Sequence, residues 1–333
     1  MGAFGLVPKE EAIQRMNRYG ERRKPFFFLV SFDGEQCIVC PLDELPQSGF
    51  LFDFNGVTNA SGGNAGPVSC AAVQWRAFPE PYDVYRHSFD IVRRNILLGN
   101  SFLLNLTCRT PISTNLSLRD IYMRSRAKYK LWWRGHFTMF SPEIFVKIQK
   151  GKISTYPMKG TVDAEVDDAR RQLLDDRKEA AEHATITDLL RNDLSRIATH
   201  VTVERYRYID TLVTHRGKLL QTSSEITGRL PEDFYAHLGA GLFELLPAGS
   251  VTGAPKKKTV EIIREAENYD RGFYTGVTGV FDGESLDSAV IIRYVEEAED
   301  GRLFFKSGGG ITFQSECRKE YEEMIEKIYV PVY

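Results

Sequence analysis

The sequence predicts an α+β fold, a layered sandwich of antiparallel β-sheets with helices outside. Apolar runs of strand length, such as 26–32, are followed by tight-turn residues like Asp33-Gly34, as in antiparallel hairpins. Helical patterns are interspersed among the strands, without the regular strand–helix alternation of a doubly wound parallel sheet. Hydrophobic residues make up 42% of the 333 positions, which is ample for a large core.

The individual elements follow from the same patterns. Residues 1 to about 20 have the pattern of an amphipathic helix, and 25–75 is rich in strands. In the next helix, apolar residues at 85, 89, 92 and 96 form one stripe, and Gly99 suits its end. We divide the chain into a strand-rich segment at 1–80, packed on a core at 81–333. The other predicted elements are a helix at 81–98, strands at 101–109 and 137–157, helices at 177–198, 232–246 and 255–267, strands at 273–281, 287–297 and 302–306, and a closing helix at 316–328.

Charge and cysteine content argue against several classes of protein. The net charge is −2, without the basic excess that nucleic-acid binding requires. No apolar run approaches the roughly 18–20 residues that span a bilayer, and the first residues lack the pattern of a signal peptide. Five cysteines, an odd number thinly spread, fit a reducing compartment better than a disulfide framework. We therefore expect a cytoplasmic protein that binds neither nucleic acid nor membranes.

Two pairs of glutamates are spaced three residues apart on predicted helices. Glu179 and Glu182 fall on or beside the apolar face of the helix at 177–198. Inward carboxylates are costly unless a divalent cation or an arginine pairs with them, and the sequence leaves both options open. Glu320 and Glu323 lie off the apolar stripe of the closing helix, which favours a solvated face. Together the four carboxylates could supply the oxygen ligands that Mg²⁺ prefers.

Three further features are typical of an anion site. The small-residue loop 247–255 leads into a helix whose first N–H groups favour negative charge, and it contains Thr252 and Gly253. Arg293 interrupts an apolar strand, so we expect a partner carboxylate, from the protein or from a ligand. A third stretch ends a strand with glycines that permit close backbone approach, namely Gly308, Gly309 and Gly310.

Lys159 and Glu143 lie at opposite ends of one strand-rich region. Lys159 sits in a loop punctuated by Pro157 and Gly160, where a lysine that has lost its proton can act as a nucleophile. Glu143 begins the strand that leads toward this loop, and an acid there can donate a proton. Taken singly, each is better explained as an ordinary solvated side chain.

Seven segments, taken together, resemble the chorismate-utilising enzymes. This family includes the anthranilate, aminodeoxychorismate, isochorismate and salicylate synthases. The segments lie in the family's order over roughly 85–328, whereas the first 80 residues match only loosely. The resemblance implies the family's layered fold and chorismate as the substrate. The matching segments are SPEIF (141–145), PMKGT (157–161), DDRKEAAEH…DLLRND (175–193), PAGSVTGAPK (247–256), RGFYTGVTGVF (271–281), LDSAVIIR (286–293) and SGGGI…KEYEE (307–323).

The resemblance implies a role for each candidate residue. Glu143 would be the general acid that helps expel the C4 hydroxyl of chorismate. Arg293 and Tyr274 would clamp the enolpyruvyl carboxylate. A Mg²⁺ ion would hold the ring carboxylate, and its ligands would be Glu182 and Glu323, with Glu179 and Glu320 alongside. Further contacts to the substrate would come from Thr252, Gly253, Gly308, Gly309 and Gly310.

Lys159 separates the members of this family by their chemistry. Anthranilate synthases usually carry Ala at this place. Isochorismate and salicylate synthases have their basic lysine in an earlier strand, where this chain has Leu103. The resemblance therefore implies an aminodeoxychorismate synthase component I, in which a neutral lysine adds to chorismate before ammonia replaces it. Such a lysine needs burial and a nearby cation to lower its pKa. One departure is Gln221, where the family usually has His.

The implied product is 4-amino-4-deoxychorismate, for para-aminobenzoate and folate biosynthesis. No glutaminase pattern is evident, so we expect ammonia from a separate glutamine amidotransferase subunit. Anthranilate synthase component I and isochorismate synthase remain alternatives. An inactive chorismate-binding subunit is a further alternative, but the presence of all four glutamates counts against it.

Overall fold

The computed structural model describes residues 4–46, 48–60, 72–214 and 217–330. Its helices are α1 (Lys9–Glu21), α2 (Tyr82–Leu97), α3 (Leu118–Arg124), α4 (Ala169–Asp175), α5 (Arg177–Leu194), α6 (Leu238–Glu244), α7 (Lys256–Ala266) and α8 (Cys317–Glu326). Its strands are β1 (Phe26–Val30), β2 (Cys37–Pro41), β3 (Phe50–Phe54), β4 (Val57–Thr58), β5 (Trp75–Ala77), β6 (Leu103–Thr114), β7 (Tyr129–Trp133), β8 (Phe137–Ser141), β9 (Ile144–Gln149), β10 (Lys152–Thr155), β11 (Met158–Asp163), β12 (Thr199–Thr214), β13 (Gly217–Arg229), β14 (Gly253–Ala254), β15 (Val277–Phe281), β16 (Leu286–Val290), β17 (Tyr294–Glu297) and β18 (Leu303–Ile311).

Over the described residues, these strands form two antiparallel sheets of nine strands each. Sheet I has the order β11-β13-β10-β9-β16-β15-β1-β2, with β12 also paired to β13. Sheet II has the order β14-β6-β18-β17-β8-β7-β3-β4, with β5 also paired to β6. The predicted hairpin at 26–39 is confirmed by β1 and β2.

Strand β1 shows how the two sheets pack face to face. All five of its residues are buried, and successive side chains point to opposite faces. Phe26, Phe28 and Val30 belong to the core that also contains residues of α1 and α6. Phe27 and Leu29 belong to the core between sheets I and II. An unbroken apolar run is what a strand covered on both faces requires.

Helices cover the outer face of each sheet. Helices α1 and α6 pack on sheet I, and α2, α7 and α8 pack on sheet II. The resulting order of helices, sheet, sheet and helices confirms the predicted α+β layered sandwich. No described helix is both long and apolar enough to cross a membrane.

The N-terminal segment supplies strands to both sheets. β1 pairs with β15 in sheet I, and β3 pairs with β7 in sheet II. Asn55 donates a hydrogen bond of 2.6 Å to Asp287, which also accepts one of 2.6 Å from Tyr129. The division of the chain near residue 80 stays a prediction.

The chain changes sheets at two adjacent places, which we call the crossings. In the first, β8 of sheet II ends at Ser141 and β9 of sheet I begins at Ile144. In the second, β16 of sheet I ends at Val290 and β17 of sheet II begins at Tyr294. The prediction of one continuous strand at 287–297 is therefore wrong, because its apolar pattern continues through the change of sheet.

Candidate active site

All thirteen predicted site residues line one cavity of about 620 Å³. Its walls come from β6, β9, β11, α5, the loop before α7, β18 and α8. The structure thus brings together residues that lie up to 180 positions apart in sequence, from Glu143 to Glu323. Their chemical roles stay predictions, whereas their common location is a property of the fold.

The crossings place Glu143 and Arg293 side by side. Glu143 lies in the first crossing and Arg293 in the second. The backbone N–H of Val290 donates to the Glu143 carbonyl at 3.1 Å, and that of Phe140 donates to the Arg293 carbonyl at 3.1 Å. Arg293 takes a left-handed conformation, with φ +54°. These main-chain bonds hold the two crossings next to each other. The side chains of Glu143 and Arg293 line the same cavity.

The Glu143 carboxyl group is in a setting that suits an acid. Burial raises its pKa, although a hydrogen bond donated by Ser250 and the charges of Lys159, Arg293 and Lys327 oppose this shift. The effect of burial on the pKa is the larger one, so Glu143 stays protonated to higher pH than an exposed glutamate does. A proton held in this way is available to a leaving hydroxyl in the cavity.

The Arg293 guanidinium faces the cavity with Tyr274 nearby. Within the described chain it makes no ion pair, and it lies 5.4 Å from the ring centroid of Tyr329. Tyr274 is only 4% exposed, and burial raises its pKa while the Arg271 and Arg293 charges lower it. The partner carboxylate that the sequence predicts for Arg293 is therefore not supplied by the described residues. A ligand carboxylate fits this arrangement.

Lys159 lies on β11 beside a bulge, where Gly160 has φ +67°. Its Nζ donates to Glu182 Oε2 at 2.9 Å. The Thr222 hydroxyl donates to the Lys159 carbonyl. Burial lowers the pKa of Lys159, but the charges of Glu182, Glu179 and Glu323 raise it, and their combined effect is larger. The pKa of Lys159 is therefore raised in the protein by itself, so burial alone does not lower it and the expected lowering depends on the nearby cation.

The α8 glutamates surround Gly309. A Cβ atom added at Gly309 would lie 3.7 Å from Glu320 Oε2 and 3.7 Å from Glu323 Oε1. Glu320 is 5% exposed, so the expectation of a solvated face is wrong for it, while the Glu323 side chain is 51% exposed. The reason is that α8 packs this face against the glycines of β18, which leave room for carboxylates.

Lys327 is a cavity residue that the sequence analysis does not identify. Its Nζ lies 2.7 Å from Glu323 Oε1 and donates to the Gly308 carbonyl at 2.9 Å. The signal is its position four residues after Glu323, at the C-cap of α8, where it can reach back to that carboxylate. Lys159 and Lys327 thus each neutralise one of the predicted metal ligands.

The four glutamates fit Mg²⁺ in chemistry, because hard cations prefer carboxylate oxygens and water. Their arrangement differs from a closed metal centre. In the part of the chain that the structure describes, no three acidic, histidine or cysteine side chains are gathered tightly enough to hold an ion. A cation held by Glu182 and Glu323 would displace Lys159 and Lys327 from these two carboxylates.

The glycines allow the cavity walls to approach closely. Gly253 has φ +131°, and an added Cβ would overlap the Leu103 carbonyl oxygen. A Cβ at Gly310 would lie 3.2 Å from Leu103 Cδ1 and 3.6 Å from Lys159 Nζ. Leu103 and Lys159 therefore both border Gly310 in the cavity wall. The buried Thr252 hydroxyl donates to the Ala248 carbonyl at 2.8 Å, which holds the loop before α7 in shape.

Comparison with known proteins gives the family. Residues 69–332 match the family described as chorismate binding enzyme. An uncharacterized PabA-like protein of Pasteurella multocida is 48% identical over 320 residues, which cover 96% of this chain and 98% of that protein. Aminodeoxychorismate synthase component 1 of Klebsiella aerogenes is 33% identical over 271 residues, 76% of this chain and 58% of that protein. The crystal structure of anthranilate synthase component I from Streptococcus pneumoniae aligns with a TM-score of 0.65 at 27% identity, over 80% of this chain and 61% of that one. The chain belongs to the chorismate-binding enzyme family.

Proposed function

We propose that this chain is an aminodeoxychorismate synthase component I, which converts chorismate and ammonia to 4-amino-4-deoxychorismate through a covalent intermediate on Lys159. The observation that carries the proposal is the amine of Lys159 in the cavity, which Leu103 also lines. A leucine cannot activate water, which argues against isochorismate formation. The similarity to the Klebsiella enzyme over 76% of this chain supports the same assignment.

The two carboxylates of chorismate would be held at opposite sides of the ring. Arg293 would grip the enolpyruvyl carboxylate with two hydrogen bonds, and Tyr274 would add a third from its hydroxyl. The ring carboxylate would lie near the backbone of Gly308 to Gly310. This would place the ring between Glu143 and Lys159, and such positioning is itself a large part of catalysis.

The first chemical step would form one bond and break another. Neutral Lys159 Nζ attacks C2, the two conjugated ring double bonds each shift by one position, and the C4–O bond breaks. Glu143 gives its proton to the departing hydroxyl, which leaves as water. In the second step ammonia attacks C4, the two double bonds shift back, the C2–N bond to Lys159 breaks, and the new C4 ammonium group returns a proton to the Glu143 carboxylate. Two displacements of this kind replace one difficult exchange.

The Lys159 ammonium must lose its proton before the first step. Its ion pair with Glu182 opposes this loss. A bound Mg²⁺ would hold the ring carboxylate and, by taking Glu182, would remove the negative charge that most raises the pKa of Lys159. Glu182 and Glu323 would be its main ligands, with Glu179 and Glu320 alongside.

Ammonia would come from a separate glutamine amidotransferase subunit, as the name component 1 of the Klebsiella relative suggests. The test therefore uses free ammonium. Purified protein is incubated with chorismate, Mg²⁺ and ammonium, and the products are separated by chromatography with mass detection. Formation of 4-amino-4-deoxychorismate is expected. Anthranilate with pyruvate would assign an anthranilate synthase, isochorismate without ammonia would assign an isochorismate synthase, and no product would refute an enzymatic role on chorismate.

A further inference from the structure

Ser250 forms a one-to-one pair with Glu143. The Ser250 hydroxyl donates to Glu143 Oε1, and within the described residues neither side chain has another hydrogen-bond partner. Ser250 lies in a 3₁₀ turn, Gly249–Val251, in the loop before α7. The resemblance to known enzymes assigns no role to this serine.

The backbone of Glu143 is held from both sides. Its N–H donates to the Ser141 hydroxyl at 3.1 Å, and its carbonyl accepts from the Val290 N–H at 3.1 Å. With its backbone fixed, the Glu143 side chain keeps freedom only in its torsion angles. A single donor on Oε1 restricts these torsions and leaves Oε2 for the cavity.

The loop itself does not depend on the Ser250 side chain. The Thr252 hydroxyl donates to the Ala248 carbonyl at 2.8 Å, and the buried Arg271 donates to the Val251 carbonyl at 2.9 Å. These bonds stay in place if the serine hydroxyl is removed. The hydroxyl is therefore available for a task other than folding the loop.

We propose that Ser250 is a positioning residue, which orients the Glu143 carboxyl group so that Oε2 delivers the proton to the departing hydroxyl. The catalytic consequence rests on the proposed function, whereas the pairing of the two side chains does not. A carboxyl group held in one orientation is already within hydrogen-bond reach of the leaving hydroxyl. A freely rotating carboxyl group loses torsional entropy when it takes that orientation, which raises the barrier.

The hydrogen bond also has a consequence for titration. Three cationic side chains act on Glu143, those of Lys159 on β11, Arg293 in the second crossing and Lys327 after α8. They favour its carboxylate form, as does the bond from Ser250, and burial opposes them. Removing the hydroxyl takes away one stabiliser of the carboxylate, so the pKa of Glu143 must rise further.

The test compares Ser250→Ala with Ser250→Thr, which keeps a hydroxyl. Steady-state rates with chorismate and ammonium are measured across pH. For Ser250→Ala we expect kcat about 2- to 10-fold lower, the contribution of one hydrogen bond to a neutral carboxyl group, with KM almost unchanged. The alkaline limb of kcat/KM should move to higher pH. Ser250→Thr should restore most of the rate and the wild-type limb.

A second readout does not need turnover. Infrared difference spectra report the protonated carboxyl band of Glu143, which is assigned by its loss in Glu143→Gln. In Ser250→Ala this band should persist to higher pH than in the wild type. An unchanged band, or a threonine variant no better than alanine, would overturn the proposal. A wild type that makes no aminated product would refute the proposed function, and the infrared titration would still decide whether Ser250 controls Glu143.

Discussion

Replacing Lys159 with Met should eliminate covalent catalysis and, at the same time, tighten the binding of Mg²⁺. Methionine keeps most of the side-chain volume but has no amine. Lys159 Nζ lies 2.9 Å from Glu182 Oε2, and the Glu182 side chain is only 10% exposed. A Mg²⁺ ion bound as proposed would compete with the lysine for this carboxylate. Removing the amine takes one positive charge away from the largely buried Glu182 side chain, which would favour a cation there.

The size of the effect follows from the bond that is lost. A hydrogen bond to a charged group contributes about 1.5–3 kcal/mol net. Mg²⁺ no longer has to break that bond in the variant. Since 1.4 kcal/mol corresponds to a factor of ten, the Kd for Mg²⁺ should fall about 10- to 150-fold.

Calorimetric titration of Mg²⁺ in the absence of chorismate measures this change. Lys152→Met is the matched control, because its side chain is 51% exposed and its nearest carboxylate, Glu204, lies outside the cavity. Intact-protein mass spectrometry after mixing with chorismate tests the covalent step. A Kd for Mg²⁺ that is no lower in Lys159→Met than in the wild type would refute the proposed competition for Glu182. A substrate-sized adduct on the variant would show that another residue is the nucleophile.

Two further substitutions test the clamp and the packing of the cavity wall. Arg293→Lys keeps the charge but loses the two-bond grip, so KM for chorismate should rise about 10- to 100-fold. Its melting temperature should stay unchanged, because Arg293 makes no ion pair within the described residues, and a lower melting temperature with unchanged KM would indicate a structural role. Gly253→Ala should cost about 3 kcal/mol of unfolding free energy, from overlap with the Leu103 carbonyl and from its positive φ. Gly135→Ala, with φ +68° in open space, should cost about 1 kcal/mol, and equal losses in urea titrations would contradict the overlap.

Much of the architecture could be predicted from local patterns. The run at 26–30 is apolar on both of its faces, which only a strand between two layers explains. The site residues could be gathered only because their segments resemble a family in order and spacing. Periodicity alone places Glu320 on a solvated face, because the helix pattern contains no information about the glycines against which α8 packs.

The charge state of Lys159 could not be predicted either. Its pKa depends on the distances to Glu179, Glu182 and Glu323, which come from two helices, α5 and α8, with 122 residues between them. Burial and the carboxylates act in opposite directions, so the sign of the shift needs three-dimensional positions. With a raised pKa, Lys159 holds its proton. In the proposed mechanism it becomes a nucleophile only when a cation binds Glu182 and weakens this ion pair.

The crossings explain why Glu143 and Arg293 line one cavity although they lie 150 positions apart in the sequence. A strand that stays in its sheet points every second side chain into a packed layer. Where it leaves one sheet for the other, ladder bonds are interrupted and side chains reach the gap between the sheets. Because the two crossings are hydrogen-bonded to each other, Glu143 and Arg293 cannot move apart without breaking main-chain bonds of both sheets. The position of Glu143 relative to Arg293 is therefore a property of the sandwich itself, while side chains from α5, α8 and the loop before α7 complete the wall of the cavity.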